Sequence, residues 1–84
     1  MLLNGRILPG DRMYFRRLGD LRNDKDKTQR DIAEYLHMNL EVYRRYEKGL
    51  REIPVWALIK LADYYQTSTD YLLGRTDDPS APRA

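Results

Sequence analysis

An all-α fold of five helices is predicted, and three observations predict it. Within residues 28–49 the apolar residues Ile32, Ala33 and Leu36 recur at i, i+1, i+4, a helical rather than an alternating period. After His37, Met38 and Asn39 the same spacing returns as Val42, Tyr43 and Tyr46. Cap-forming residues and glycine or proline then stand where such helices should begin and end. Two short helices with one apolar stripe each, joined by so short a turn, must cross steeply and share a core.

The first helix is expected over residues 13–24, with Tyr14 or Phe15, Leu18, Leu21 and Arg22 on one side. Residues 23–27 form a charged loop. Thr28 caps the second helix through its hydroxyl, with Asp31 as a short version of the capping-box acid. That helix runs to about Leu36. Asn39 caps the third, which runs over residues 40–48 to Gly49, a left-handed end position. Pro54 suits the first turn of the fourth helix, where a missing N–H costs nothing. Leu58, Leu61, Ala62 and Tyr65 follow at i, i+3, i+4, i+7. Ser68 caps a short fifth helix over residues 69–73, closed by Gly74.

The domain is therefore expected over residues 13–74. Residues 75–84, with Pro79 and Pro82 and no apolar side chain larger than alanine, are expected to be a disordered tail. Residues 1–12 form an N-terminal extension or arm. Leu2 and Leu3, then Asn4 and Gly5, then Arg6, Ile7 and Leu8 resemble a very short hairpin. The segment reads as an upstream extension, as a strand pairing across a dimer, or as an arm placing Arg6 and Arg12 on a nucleic-acid backbone.

Composition excludes several function classes. The 84 residues allow one domain with a small core. With no cysteine there is no disulfide, thiolate nucleophile or Cys-based metal site. One histidine cannot build the usual zinc sites, and no cofactor is implied. No Ser–His–Asp set and no glycine-rich phosphate loop supports an enzyme. No apolar run reaches the roughly 18 residues of a membrane span, and the start lacks the form of a secretory signal. A cytoplasmic, nucleoid-associated protein without membrane attachment is expected. A net charge of +2 and a pI near 9.0 permit nucleic-acid binding without arguing for it. Distribution says more: Arg44, Arg45, Lys48 and Arg51 lie within eight residues.

The outer face of the third helix carries Leu40, Glu41, Arg44, Arg45 and Lys48. A small helix with one face buried and arginines on the other fits the DNA major groove. Arg44 and Arg45 are the candidate base readers, because a guanidinium can fork onto guanine O6 and N7. The bland reading is a solvated face with Glu41 and Arg45 as an ordinary i, i+4 pair. Glu41 is expected to orient Arg45, with acceptance from cytosine as the alternative. Leu40 meets a thymine methyl group or makes a helix-start packing contact. Asn39 is more a cap than a reader. Lys48 and Arg51, past the helix centre, suit phosphate. Tyr35 lies off the stripe, solvated or donating to a phosphate.

Thr28, Gln29, Ile32, Ala33, Leu36, the run from Tyr46 to Gly49, Pro54, Leu61, Ala62 and the run from Asp70 to Gly74 resemble the Cro/repressor family of helix-turn-helix proteins. The resemblance covers residues 14–74 and rests on several features in order at matching separations. It implies a compact five-helix, lambda-repressor-like domain that binds palindromic double-stranded operator DNA, usually as a homodimer, in a small bacterial or phage-like regulator, more often a repressor. It implies that Gln29 holds a phosphate, where backbone N–H groups also favour one. It also implies a largely buried salt bridge between Arg22 and Glu47 that locks the first helix to the third. Two positions depart from the pattern. His37 stands where the family usually has glycine, and at positive φ it would carry about 1 kcal/mol of strain. Leu40 replaces a short polar residue.

Trp56, Tyr64, Tyr65, Tyr71 and Leu72 give the last two helices more aromatic surface than a small core needs. A dimer interface through Trp56, Tyr64, Tyr71 and Leu72 is therefore expected, with packing over the first-helix side of the core as the bland alternative. The alternative is a protein-binding module, such as an antitoxin, whose partner surface is this Tyr-rich end.

Overall fold

The computed structural model describes residues 14–82. They contain α1 (Arg16–Asp24), α2 (Gln29–Tyr35), α3 (Leu40–Lys48), α4 (Val55–Tyr65) and α5 (Thr69–Leu72), with no strand among the described residues. No described helix is long and apolar enough to cross a membrane. The predicted hairpin, with Arg6 and Arg12, lies outside the described residues.

Two boundaries move. α1 begins at Arg16, because Phe15 stays extended at φ −118° and packs its ring on the core instead. Pro54 is the extended residue before α4, at φ −70° and ψ 152°, rather than part of its first turn. The caps follow local chemistry. The Asp31 N–H donates to Thr28 Oγ1 at 3.0 Å and the Thr28 N–H donates to Asp31 Oδ2 at 2.9 Å, a complete capping box. Asn39 Oδ1 accepts from the Glu41 N–H at 2.7 Å, and Ser68 Oγ from the Tyr71 N–H at 2.9 Å.

All five helices close with one motif. A residue at positive φ follows each helix: Asp26, His37, Gly49, Gln66 and Gly74. The next N–H reaches five residues back, from Lys27 to Arg22, Met38 to Ala33, Leu50 to Arg45, Thr67 to Ala62 and Arg75 to Asp70, at 2.8 to 3.0 Å. This is the six-to-one bond that satisfies an orphan carbonyl at a helix end. Glycine was foreseen at 49 and 74. The other three ends place side chains in the left-handed region, His37 at φ 55° among them.

The core joins Leu18 of α1, Ile32, Ala33 and Leu36 around α2, Tyr43 of α3, Ala57, Leu58, Leu61, Ala62 and Tyr65 of α4, and Leu72 of α5. Ile53, predicted as loop, is also buried. α2 and α3 make the most extensive helix-to-helix contact. Leu72 is 1% exposed, so its expected interface role is corrected: it is a core residue. Tyr35 is half-buried, and its hydroxyl hydrogen is spent within the fold rather than left for a phosphate. Its hydroxyl donates to the Lys60 carbonyl at 3.1 Å and its ring lies 4.6 Å from that of Tyr64.

The disordered tail is corrected as far as residue 79. Arg17, on α1, donates to the carbonyls of Tyr71 at 2.8 Å and Thr76 at 2.6 Å, and to Asp77 Oδ1 at 2.6 Å. Thr67 Oγ1 donates to the Pro79 carbonyl at 2.7 Å. Hydrogen bonds rather than apolar anchors hold this strap, which is why apolar content did not predict it.

One ion pair ties α1 to α3. Arg22 donates from Nε to Glu47 Oε2 and from Nη2 to Oε1, both at 2.9 Å, with side chains 14% and 10% exposed. Tyr43 Oη adds a third bond to Oε2 at 2.7 Å and Gln29 Nε2 a fourth to Oε1 at 3.0 Å. Burial pushes the Glu47 carboxyl up, but the bonds from Arg22, Tyr43 and Gln29 outweigh it and hold the group below its ordinary value.

Replacing Glu47 by alanine strands a buried guanidinium and should destabilise the domain by about 3–5 kcal/mol in chemical denaturation. The pH dependence has a definite sign. A depressed carboxyl stabilises the fold fully above the unfolded value of 4.5 and loses that contribution as pH falls through the lower folded value. Glu47→Gln should therefore flatten the acid limb of the stability curve. The helix ends give a second expectation. Glycine at Asp26, His37 or Gln66 should raise stability by about 0.5–1 kcal/mol each, measured by thermal melting. Gly49→Ala should lower it, because its Cβ would lie 2.8 Å from that of Tyr14 at a backbone φ of 78°.

Candidate nucleic-acid interface

The turn after α2 brings the start of α3 beside the start of α2. Thr28, Gln29 and Arg30 from one and Leu40 and Arg44 from the other line a groove of about 360 Å³. The outer surface of α3 presents exposed Glu41, Arg45 and Lys48, with exposed Arg51 in the loop beyond. Asn39 is exposed and spends its side-chain oxygen on the cap. Leu40 is half-buried and packs against the core, the helix-start contact of its two readings.

The charged side chains pair differently from expectation. Glu41 bonds Arg44, three residues on, rather than Arg45: Arg44 Nη1 donates to Glu41 Oε1 at 2.5 Å. Arg44 Nε also donates to Gln29 Oε1 at 3.2 Å. Gln29 is thus bound on both sides, accepting from Arg44 and donating to Glu47. A continuous chain runs from Glu41 through Arg44, Gln29 and Glu47 to Arg22. Arg45, Lys48, Arg51 and Arg30 make no ion pair or side-chain hydrogen bond among the described residues.

Sequence reasoning missed Tyr43 as a donor to Glu47, although their i, i+4 spacing was visible. It also missed Gln29 as the link between the two charged clusters, a contact between residues 15 apart in the chain.

The expected dimer residues separate. Tyr64 is half-buried between Tyr35 and Tyr65, with ring centroids 4.6 and 5.1 Å away. Tyr71 is half-buried, and the Arg17 guanidinium lies 3.9 Å from its ring centroid. Trp56 is different. It is 49% exposed beside Val55 at 70% and Ile59 at 48%, an apolar patch at i, i+1, i+4 on the outer side of α4.

A helix-turn-helix family model matches residues 18–72. The chain is 39% identical over 67 residues to an uncharacterized HTH-type transcriptional regulator, YobD, of Bacillus subtilis, covering 80% of this chain and 60% of that protein. It is 36% identical over 62 residues to the HTH-type transcriptional regulator ImmR of the same organism, covering 74% and 49%. It is also 36% identical over 59 residues to the cryptic phage CTXphi transcriptional repressor RstR of Vibrio cholerae, covering 70% and 53%. The chain thus spans about half to three fifths of the length of these relatives. No solved structure matches it. With its helix pair, turn and outward basic face already described, the chain belongs to the helix-turn-helix family carried by DNA-binding transcriptional regulators.

Proposed function

We propose that the chain binds double-stranded DNA sequence-specifically, with α3 in the major groove, and regulates transcription as a repressor. The observation that carries this reading is the outer face of α3. Arg45 and Lys48 stand exposed on a helix whose other face is buried through Tyr43. A helix so disposed matches the width of the major groove, and arginine is the commonest reader of guanine there. The name of RstR, a phage transcriptional repressor, supports repression rather than activation. The alternative, a partner surface at the Tyr-rich end, has no specific observation in its favour, since Tyr64 and Tyr71 pack against neighbouring side chains.

The protein acts as a homodimer on a palindromic site. Its interface is the outer side of α4, where Trp56, Val55 and Ile59 are exposed. Crossing two such helices antiparallel near Trp56 sets Val55 of one copy beside Ile59 of the other. An isologous dimer requires such self-complementarity. Lys48 and Arg51 serve as phosphate contacts.

Selection from a random duplex library should return a motif with two half-sites about one helical turn, or about 34 Å, apart. Affinity should fall steeply with salt as counterions are released, and Lys48→Ala should weaken all duplexes alike. Recovery of no motif would sink the DNA reading. For the dimer, sedimentation should show Ile59→Glu as a monomer under conditions where the native chain self-associates, with its helical content unchanged and its melting temperature lower by no more than the lost association accounts for. A native chain that stays monomeric both free and on a palindromic duplex would refute the interface.

A further inference from the structure

Two adjacent arginines on α3 are treated differently by the fold. Arg44 spends Nε on Gln29 and Nη1 on Glu41, and the carboxylate of Glu41 offsets its charge. Gln29 is in turn held by Glu47, itself clamped by Arg22. The Arg44 side chain, 43% exposed, is therefore linked through Gln29 to the carboxylate that Arg22 and Tyr43 also bond. It lines the groove shared with Thr28, Gln29, Arg30 and Leu40, on the side of α3 that faces the start of α2. Arg45 is exposed and has no such partner among the described residues.

We infer that the two arginines have separate tasks: Arg45 reads a base, and Arg44, set in place by Gln29, anchors the sugar-phosphate backbone. This rests on the DNA-binding reading above. A guanidinium reading guanine needs two parallel N–H groups turned to one base edge. Arg44 has its one Nε–H on Gln29 and an Nη1–H on Glu41, which closes the Nε–Nη2 edge to a base and leaves the remaining Nη hydrogens oriented by Glu41 rather than free to turn to one. A single phosphate oxygen asks for less, because one N–H and a positive charge are enough. The groove offers a second guanidinium, on Arg30, for the same anion. Gln29 has one amide hydrogen left after serving Glu47. Its first task here is positioning Arg44, which departs from the direct phosphate contact that the family resemblance implies.

The test is duplex selection and salt-dependent binding with Arg44→Ala, Arg45→Ala, Gln29→Ala and the Gln29→Ala/Arg44→Ala pair. Arg45→Ala should lose its preference at one base pair of each half-site, with discrimination there falling about tenfold to a hundredfold. Arg44→Ala should keep the native motif, bind every duplex more weakly, and reduce the slope of log affinity against log salt by about 1 per half-site. Gln29→Ala should keep the motif as well, and adding Arg44→Ala to it should cost less than Arg44→Ala alone. A purely structural glutamine would lower both arms of that cycle equally. Loss of a base preference in Arg44→Ala, retention of the full motif in Arg45→Ala, or additive effects of Gln29 and Arg44 would each overturn the division. If the native chain selects no motif, the DNA reading itself fails and the division falls with it.

Discussion

The Glu47 carboxylate is the contact on which the architecture depends. It accepts four hydrogen bonds, two on each oxygen, from Arg22, Tyr43 and Gln29. Four is about the full acceptor capacity of a carboxylate. The donors come from three helices, so one group fixes α1, α2 and α3 together. An apolar stripe alone tolerates rotation of a short helix about its axis, because dispersion contacts have little direction. Bonds at 2.7 to 3.0 Å from three sides do not. The cost of keeping a charge there is offset by Arg22, and a nearby consequence is visible. Burial, and then the charge of Glu47, push both Tyr43 and Tyr65 above the ordinary phenol value. Their hydroxyls stay protonated, and that of Tyr43 remains a donor.

Around this contact the helices are very short, from four to eleven residues. Helices of that length are marginal alone, so their ends carry much of the local free energy. The chain meets this by closing each with the same reversed turn. Three of the five turns accept a side chain at positive φ rather than glycine. Asp26 is exposed to solvent, and exposed Gln66 donates its side-chain amide to the Asp63 carbonyl at 2.8 Å. His37 sits between α2 and α3, where the turn sets how the two meet. The buried packing of Leu36 on one side and half-buried Met38 on the other holds that turn closed despite the strain.

Legibility in the sequence followed range. Features decided within about four residues were readable. The stripe of Ile32, Ala33 and Leu36 maps onto the core, as do Tyr43 and Tyr46 of the second, while Val42 stays outside it, and the caps at Thr28, Asn39 and Ser68 map onto hydrogen bonds. Features decided across the chain were not. Arg17 holds the strap through residues more than fifty positions away, and nothing around Arg17 marks it. Gln29 reads from sequence only as a phosphate contact, because its two protein partners come from α3. Glu41 illustrates the limit within a helix: Arg44 and Arg45 were both at allowed spacings, and the competing pull of Gln29 on Arg44 favours the i, i+3 pair. The aromatic surplus in α4 and α5 was read as interface because composition cannot separate Tyr64 and Tyr71, packed against neighbours, from Trp56, which is not. The Arg22 and Glu47 pair was reachable through the family resemblance, since neither residue shows it by spacing.

The polar chain from Glu41 to Arg22 links stability to recognition. An arginine that orders on binding gives up about 0.5–1.5 kcal/mol of side-chain freedom. On the proposed division Arg44 gives up part of that during folding, through its bonds to Gln29 and Glu41. Its contact with any duplex is accordingly cheap in entropy but poor in choice, since its orientation is set before a base is met. Arg45 stands in the opposite position. It loses its freedom at the moment of contact and recovers the loss only where a matching acceptor pair is present, about 1–3 kcal/mol per good bidentate contact. Discrimination requires that kind of conditional gain, because an interaction made equally with every sequence cannot distinguish between them. On the proposed division, a helix of nine residues gains selectivity by leaving one arginine unpaired beside another that the fold has already engaged.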